Sequence, residues 1–310
     1  MLVNRCLVEM LCMLTRFVLV VLPRDVFSVL KRFIPLRLKQ YLTKEVMRRN
    51  KRQGSTLIVK DGRKFCVIGE AHFIQVFYNG VYEERLTEIS RLLIDDGDIA
   101  VDVGASFGWY STLFAAQSPL GKVIAYEPHK NMCSILKMNV DVNCMGSIVD
   151  VRNKAVGERS GGVSFQSGAS GESALGHVVL DGNVRCDTVE SITLDADLSG
   201  YLNNVSYIKI DIEGSELNAL KGAMKLLKSK NQPILQIEVN DAALELQGTS
   251  RSDLLLFLTD CGYSFYMVSS KSRGSILVAG DCDTATDLFC FGNGKYSSRI
   301  SRVLGVGSRG

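Results

Sequence analysis

The chain has 310 residues, 46% apolar and 22% charged, enough for one α/β domain with a full core plus an appendage and ordinary for a soluble globular protein. Nine cysteines, at positions 6, 12, 66, 133, 144, 186, 261, 282 and 290, form no C-x-x-C pair, which excludes a sequence-readable disulfide framework or zinc motif and favours reduced thiols in the cytoplasm. The net charge of +3 hides an asymmetry: in residues 1–52 twelve Lys/Arg oppose Glu9, Asp25 and Glu45, a balance of +9 that leaves −6 for the other 258 residues.

Residues 1–53 read as a basic amphipathic arm. Leu2, Cys6, Met10, Met13, Leu14, Phe17, Val18 and Val21 recur at three- and four-residue steps, the spacing of one helix face. The longest uncharged run is shorter than the ~20 apolar residues of a bilayer span, and no small-residue cleavage site marks a secretory leader. Two readings stand. The arm rests on anionic lipid at the inner membrane face through residues 1–52, or it packs on the domain with its lysines in water.

Residues 54–90 read as a β-hairpin, turning at Asp61-Gly62, and a lid or cap region. A helix follows over 83–95 and stops at Asp96-Gly97-Asp98. From 91 to 294 strand and helix alternate. Strands are expected at 99–103, 123–127, 149–152, 205–211 and 233–239, with helices over 109–116, 132–140, 215–228 and 252–259. Residues 157–182 form a polar, glycine-rich excursion with Ser164, Ser167, Ser170 and Ser173. Two last strands, 263–268 and 287–291, close the sheet as an antiparallel pair, and 295–310 read as a frayed basic tail. The predicted fold is α/β and Rossmann-like, a mostly parallel seven-stranded sheet with an antiparallel last strand, covered on both faces.

Chemistry concentrates where the first core strand ends. Asp102, Gly104 and Gly108 make a D-x-G-x-x-x-G turn between strand and helix, whereas a dinucleotide turn is G-x-G-x-x-G. Gly104 should open the backbone to a ligand, and Gly108 should let the helix pack closely on the strand. An acid at the strand end repels a pyrophosphate but can hold an ammonium group. Glu127, at the tip of the second strand, is placed to read a ribose diol. That combination suits S-adenosylmethionine better than NAD. The candidate cofactor contacts are Asp102, Gly104, Ala105, Ser106, Phe107, Gly108 and Glu127, with Asn153 for an adenine edge and Asp211 at a later strand end.

Five motifs occur in order: Gly80-Val81-Tyr82-Glu83, Asp102 to Gly108, Glu127-Pro128, Thr193-Leu194-Asp195 and Lys209-Ile210-Asp211-Ile212-Glu213-Gly214-Ser215-Glu216. With them, about two thirds of the chain resembles the FkbM family of class I S-adenosylmethionine-dependent methyltransferases. The resemblance implies O-methylation of hydroxyls on sugars, glycolipids, polyketides and other secondary products. Ser106 departs from the asparagine frequent in the family, and the basic arm lies outside the resemblance.

An alcohol loses its proton during methyl transfer, so a general base or a metal at its oxygen is expected. The catalytic candidates are Asp211, Glu213 and Glu238, beside Glu216 and Asn240. Three readings stand: Asp211 or Glu238 as base with a raised pKa; a divalent-metal site, which no dense ligand spacing supports; and Glu213 and Glu216 as helix caps. Lys209 is expected to neutralise the cluster. His72, His129 and His177 read as structural. A dehydrogenase would need the missing G-x-G turn. A nucleic-acid or protein methyltransferase recruited by the basic arm is a rival, but interleaved aromatics are absent, so no nucleic acid is expected. A cofactor-binding module without chemistry is the other.

Overall fold

The computed structural model describes residues 55–59, 61–67, 81–166, 177–179, 187–268, 277–279 and 285–304. The expectations for the basic arm, for residues 68–80 with His72, and for Ser167, Ser170 and Ser173 lie outside the described residues.

The elements follow the expected order. A two-stranded hairpin, β1 (Ser55–Ile58) and β2 (Lys64–Val67), precedes helix α1 (Glu84–Leu93). Then come β3 (Ile99–Val103), α2 (Trp109–Gln117), β4 (Lys122–Tyr126), α3 (Lys130–Val142) and β5 (Val149–Arg152). The excursion after β5 is itself a sheet of β6 (Ala155–Val156), β7 (Gly161–Gln166), β8 (His177–Val179) and β9 (Asp187–Ile192), ordered β6-β9-β7-β8. The chain returns through α4 (Leu194–Asp197) to β10 (Val205–Ile210), α5 (Glu216–Lys221), α6 (Met224–Leu227) and β11 (Ile234–Glu238). It ends with α7 (Asp241–Leu246), α8 (Arg251–Asp260), β12 (Ser264–Val268), β13 (Leu277–Val278), β14 (Asp287–Phe291) and a 3-10 turn, Ser297–Arg302.

The main sheet is ordered β13-β12-β14-β11-β10-β3-β4-β5. From β11 to β5 the pairing is parallel, and β14 runs antiparallel to both β11 and β12. The seven expected strands are present, and the two-residue β13 adds an eighth at the edge. The strand order reverses between β3 and β10, and such a switch point is where open α/β sheets take ligands.

Alternation along the strands separates two kinds of interior. Val101, Val103, Ile208, Ile210, Leu235 and Ile237 pack with Leu217, Leu220, Leu226, Leu254 and Leu258 in one apolar core, each such burial contributing ~1.5–3 kcal/mol. Asp102, Lys209 and Gln236, aligned across β3, β10 and β11, are buried too. Below them Tyr207 Oη and Ser90 Oγ both donate to Gln236 Oε1 at 2.8 Å.

Two expectations are corrected. The single helix over 215–228 is two, because Gly222 packs against Gly157, where a Cβ would lie 2.1 Å from the carbonyl oxygen, and Asp195 accepts the N–H groups of Lys225 and Leu226 as a new helix start. The tail is not frayed over its first half: buried Arg299 pairs with Asp98 and donates to Leu93 O, and Arg302 pairs with Asp95. Breaking a buried pair from one side leaves a charge without compensation, so Arg299→Ala should lower stability by ~3 kcal/mol in urea unfolding; an unchanged midpoint would contradict this role for the tail.

Candidate active site

The turn after β3 is built on backbone that few side chains tolerate. Gly104 and Gly108 have φ of +82° and +88°, and Ser106, not a glycine, has φ +49°. The N–H groups of Gly104 and Ala105 both donate to Tyr126 O, at 3.0 and 2.9 Å, which lays the turn over the end of β4. Glu127, just beyond β4 and 6% exposed, accepts from Ser106 N at Oε2 and from His129 N at Oε1, both at 2.8 Å. Burial pushes its carboxyl up to about 7 despite those two N–H donors.

Both glycines answer packing constraints set by other elements. A Cβ on Gly104 would stand 1.9 Å from Asp211 O, so this glycine is required by the approach of β10's end. A Cβ on Gly108 would meet the Leu136 side chain of α3 at 2.4 Å, rather than β3. Asn153 lies beside the Glu127 loop, but its amide nitrogen is committed to the carbonyls of Glu127 (2.8 Å) and Pro128 (2.9 Å). Only its amide oxygen and main chain face other duties. His129 begins α3, its Nδ1 accepting from Met132 N at 3.3 Å.

Across the switch point the acids gather around one ammonium group. Lys209 Nζ lies 2.7 Å from Asp211 Oδ2 and 4.7 Å from the centre of the Tyr110 ring. Burial alone would lower the Lys209 pKa, but Asp211, Asp102 and Glu83 outweigh it and keep the ammonium charged. Burial, then the charge of Asp211 and a hydrogen bond with it, raise Glu238 well above the usual carboxylate range. Asp287, opposite Glu238 in the β11–β14 register, is pushed up to about 6 by burial and by Glu83. Glu213 stands at φ +53°, its carboxyl raised by burial and by Asp211. Glu216 is buried and accepts from Ile212 N (3.0 Å) and Gly214 N (3.1 Å), tying the turn as a capping acid would.

The structure thus brings Asp102, Asp211, Glu213 and Glu238 to one side of the switch-point crevice, with Glu127 linked to them through the turn. Sequence reasoning missed Glu83, Tyr110 and Asp287 as neighbours of this site. Glu83, in the left-handed region at φ +45°, accepts from Tyr110 Oη at 2.7 Å. Its place in the Gly80 to Glu83 motif was a signal; Asp287 carried none, because it comes from the inserted antiparallel strand.

Buried Asp102 donates nothing and accepts Ser111 Oγ on Oδ2 at 2.5 Å, while its Oδ1 and Glu238 Oε2 have no hydrogen-bond partner in the protein. Carboxylate oxygens closed off without donors are suited to an ammonium group or a hydroxyl, which is what S-adenosylmethionine and an alcohol present. The residues fit that cofactor. Among the described residues no group of three His, Cys, Asp or Glu side chains is arranged to hold a metal ion.

A mostly parallel sheet of this order, with a glycine turn at its switch point, is the fold of the class I S-adenosylmethionine-dependent methyltransferases. The methyltransferase FkbM domain matches residues 102–265, more than half of the chain, and the chain belongs to that family. It is 27% identical over 153 residues to hexuronic acid methyltransferase AglP of Haloferax volcanii, a match that takes in 48% of this chain and 61% of that protein. The chain therefore spans about three fifths of the length of that curated relative. Among solved structures it is similar to an S-adenosylmethionine-dependent O-methyltransferase of Thermotoga maritima, at 12% identity and TM-score 0.40 over 78% of each chain. A precorrin-6y C5,15-methyltransferase of Geobacter metallireducens matches at 14% identity and TM-score 0.39, over 68% of this chain and 88% of that one.

Gly104→Ala should destabilise the protein by at least ~2 kcal/mol, since it adds the left-handed cost of a side chain to a contact with main-chain atoms that cannot rotate away. Gly108→Ala meets only a leucine tip and should cost less; urea unfolding that ranks the two in reverse would contradict the packing assigned here. Glu127 has a folded pKa above its unfolded one, so its share of stability is present below about pH 4.3 and is lost as pH rises to about 7. The stability gained by Glu127→Gln should therefore grow between pH 4.5 and pH 7.5, and a gain independent of pH would overturn the assignment.

Proposed function

We propose that this methyltransferase transfers its methyl group to a hydroxyl of a glycan, glycolipid or secondary-metabolite acceptor, with Asp211 accepting the hydroxyl proton. The observation that carries the reading is the single ammonium of Lys209 held 2.7 Å from Asp211 amid Glu83, Glu213, Glu238 and Asp287. The ion pair orients Asp211. Burial and the neighbouring Asp211 charge raise Glu238 well above the usual carboxylate range, so of the two expected bases Glu238 holds its proton the more tightly and Asp211 is assigned the acceptor's proton. Glu213 completes the acidic wall. A relative named for a hexuronic acid substrate supports a sugar acceptor.

For the cofactor, Asp102 Oδ1 is suited to the amino group, Glu127 to the ribose diol, Gly104 to Gly108 to close approach of the backbone, and Asn153 to the adenine edge. Bound there, S-adenosylmethionine supplies a methyl group on a sulfonium sulfur. Most acceleration of such a displacement comes from alignment, and the rigid turn and strand ends provide it. Proton acceptance adds a further factor of ~10²–10⁴.

The charge of +9 over residues 1–52 favours an acceptor met at an anionic membrane face. Among the described residues no helix is long and apolar enough to cross a membrane. Removal of residues 1–52 should abolish binding to anionic vesicles, and undiminished binding would sink this part.

The main experiment incubates the protein with S-adenosylmethionine and a panel of glycans and lipid-linked sugars, reading methylation by mass. Asp211→Asn should lower turnover at least ~10²-fold. Wild-type turnover in that variant would remove Asp211 from the role.

A further inference from the structure

Three consecutive carbonyls at the end of the glycine turn are held by side chains of the hairpin, α2 and α3, and the hairpin contacts both helix side chains. Arg63 Nη1 donates to Trp109 O at 2.6 Å and to Thr112 Oγ1 at 2.8 Å. The Thr112 hydroxyl in turn donates to Gly108 O at 2.8 Å. Asn139 Nδ2 donates to Phe107 O at 2.7 Å, and Asn139 Oδ1 accepts from Cys66 N at 2.7 Å. The guanidinium lies over the Trp109 ring, 4.3 Å from its centre, and Phe65 stacks on that ring at 5.2 Å. Asp61 Oδ2 accepts from Arg63 Nε at 3.0 Å and fixes the fork from behind.

This contact is sealed. Arg63 is 4% exposed, and Phe65, Thr112 and Asn139 are fully buried. Burying a guanidinium costs solvation that one surface-facing aspartate does not repay; burial pulls its pKa down to about 10 even beside Asp61. A turn that needed only packing would be served by an apolar residue. What the fork supplies instead is direction. In a planar trans peptide the carbonyl and the following N–H point opposite ways, so holding the carbonyls of Gly108 and Trp109 fixes the N–H groups of Trp109 and Tyr110 on the other side, while the Gly108 N–H is taken by Ala105 O at 2.8 Å within the turn.

We propose that Arg63, which lies outside the family-matched segment 102–265, is a positioning residue for the cofactor turn, so that the hairpin forms its outer half. The proposal rests on the reading of that turn as the S-adenosylmethionine site. Hydrogen bonds to a charged group lost on substitution translate into roughly 10- to 100-fold in affinity.

The test uses the full chain and S-adenosylhomocysteine as the probe, with calorimetric Kd and the emission of Trp109, the sole tryptophan. Arg63→Ala should raise Kd at least ~10-fold and abolish the emission change on adding the probe. Arg63→Lys keeps the charge but not the fork, and should recover only part of the affinity. Thr112→Val removes the link to Gly108 with little change of volume and should weaken binding even if Arg63→Ala fails to fold. If the wild type binds and folded variants bind equally well, with only their melting temperatures lowered, Arg63 is a packing residue and the proposal is overturned. If the wild type itself does not bind the probe, the cofactor reading of the turn fails first.

Discussion

The two halves of the site are joined by an approach so close that only glycine permits it. Asp211 N donates to Val103 O at 3.0 Å, and the Asp211 carbonyl then occupies the space a Cβ on Gly104 would need. The glycine turn and the acidic strand end are therefore packed as one mutually supporting unit. Neither can shift without the other. For a reaction governed by alignment of donor and acceptor, a fixed distance between these segments is worth more than any single catalytic group.

The same face of the sheet explains how a charged cluster survives in a domain interior. Lys209 and Asp102 are both buried, and each alone would be strongly penalised. Their register across β10 and β3 places opposite charges within one low-dielectric pocket, and Asp211 closes the ion pair with Lys209. Beneath them the Tyr207, Ser90 and Gln236 hydrogen bonds continue the polar file. The opposite face, filled by leucine, isoleucine and valine, supplies the cohesion that a polar face cannot.

Much of this was legible in the chain. Buried parallel strands are continuous apolar runs, so β3, β4, β5, β10 and β11 stood out, and the acids interrupting or ending them stood out against that background. The β7–β9 sheet did not, because Gly161, Gly162 and Ser164 blur the alternation of a strand, and its partners are set by pairing distant in sequence. Gly104 and Gly108 were recognisable as special, yet their packing partners, Asp211 and Leu136, come from elements that only the fold brings near. Arg299 read as one more basic tail residue, since nothing local marks a partner two hundred residues away.

Backbone strain follows the same geography. Among the described residues four side-chain-bearing residues have positive φ, and three of them, Glu83, Ser106 and Glu213, belong to the site or its immediate supports. Such conformations cost of order 1–3 kcal/mol each and persist only where surroundings over-determine them. Here the surroundings can be named. Ser106 N is held by Glu127, Glu83 accepts from Tyr110, and the N–H groups on either side of Glu213 are both taken by Glu216. Each of these three residues is thus clamped by a carboxylate of the site or is itself one. The acids of this pocket shape the backbone that presents them, so a substitution aimed at charge alone will also release geometry, and variants that keep the hydrogen bonds while removing the charge, such as amides, separate the two effects.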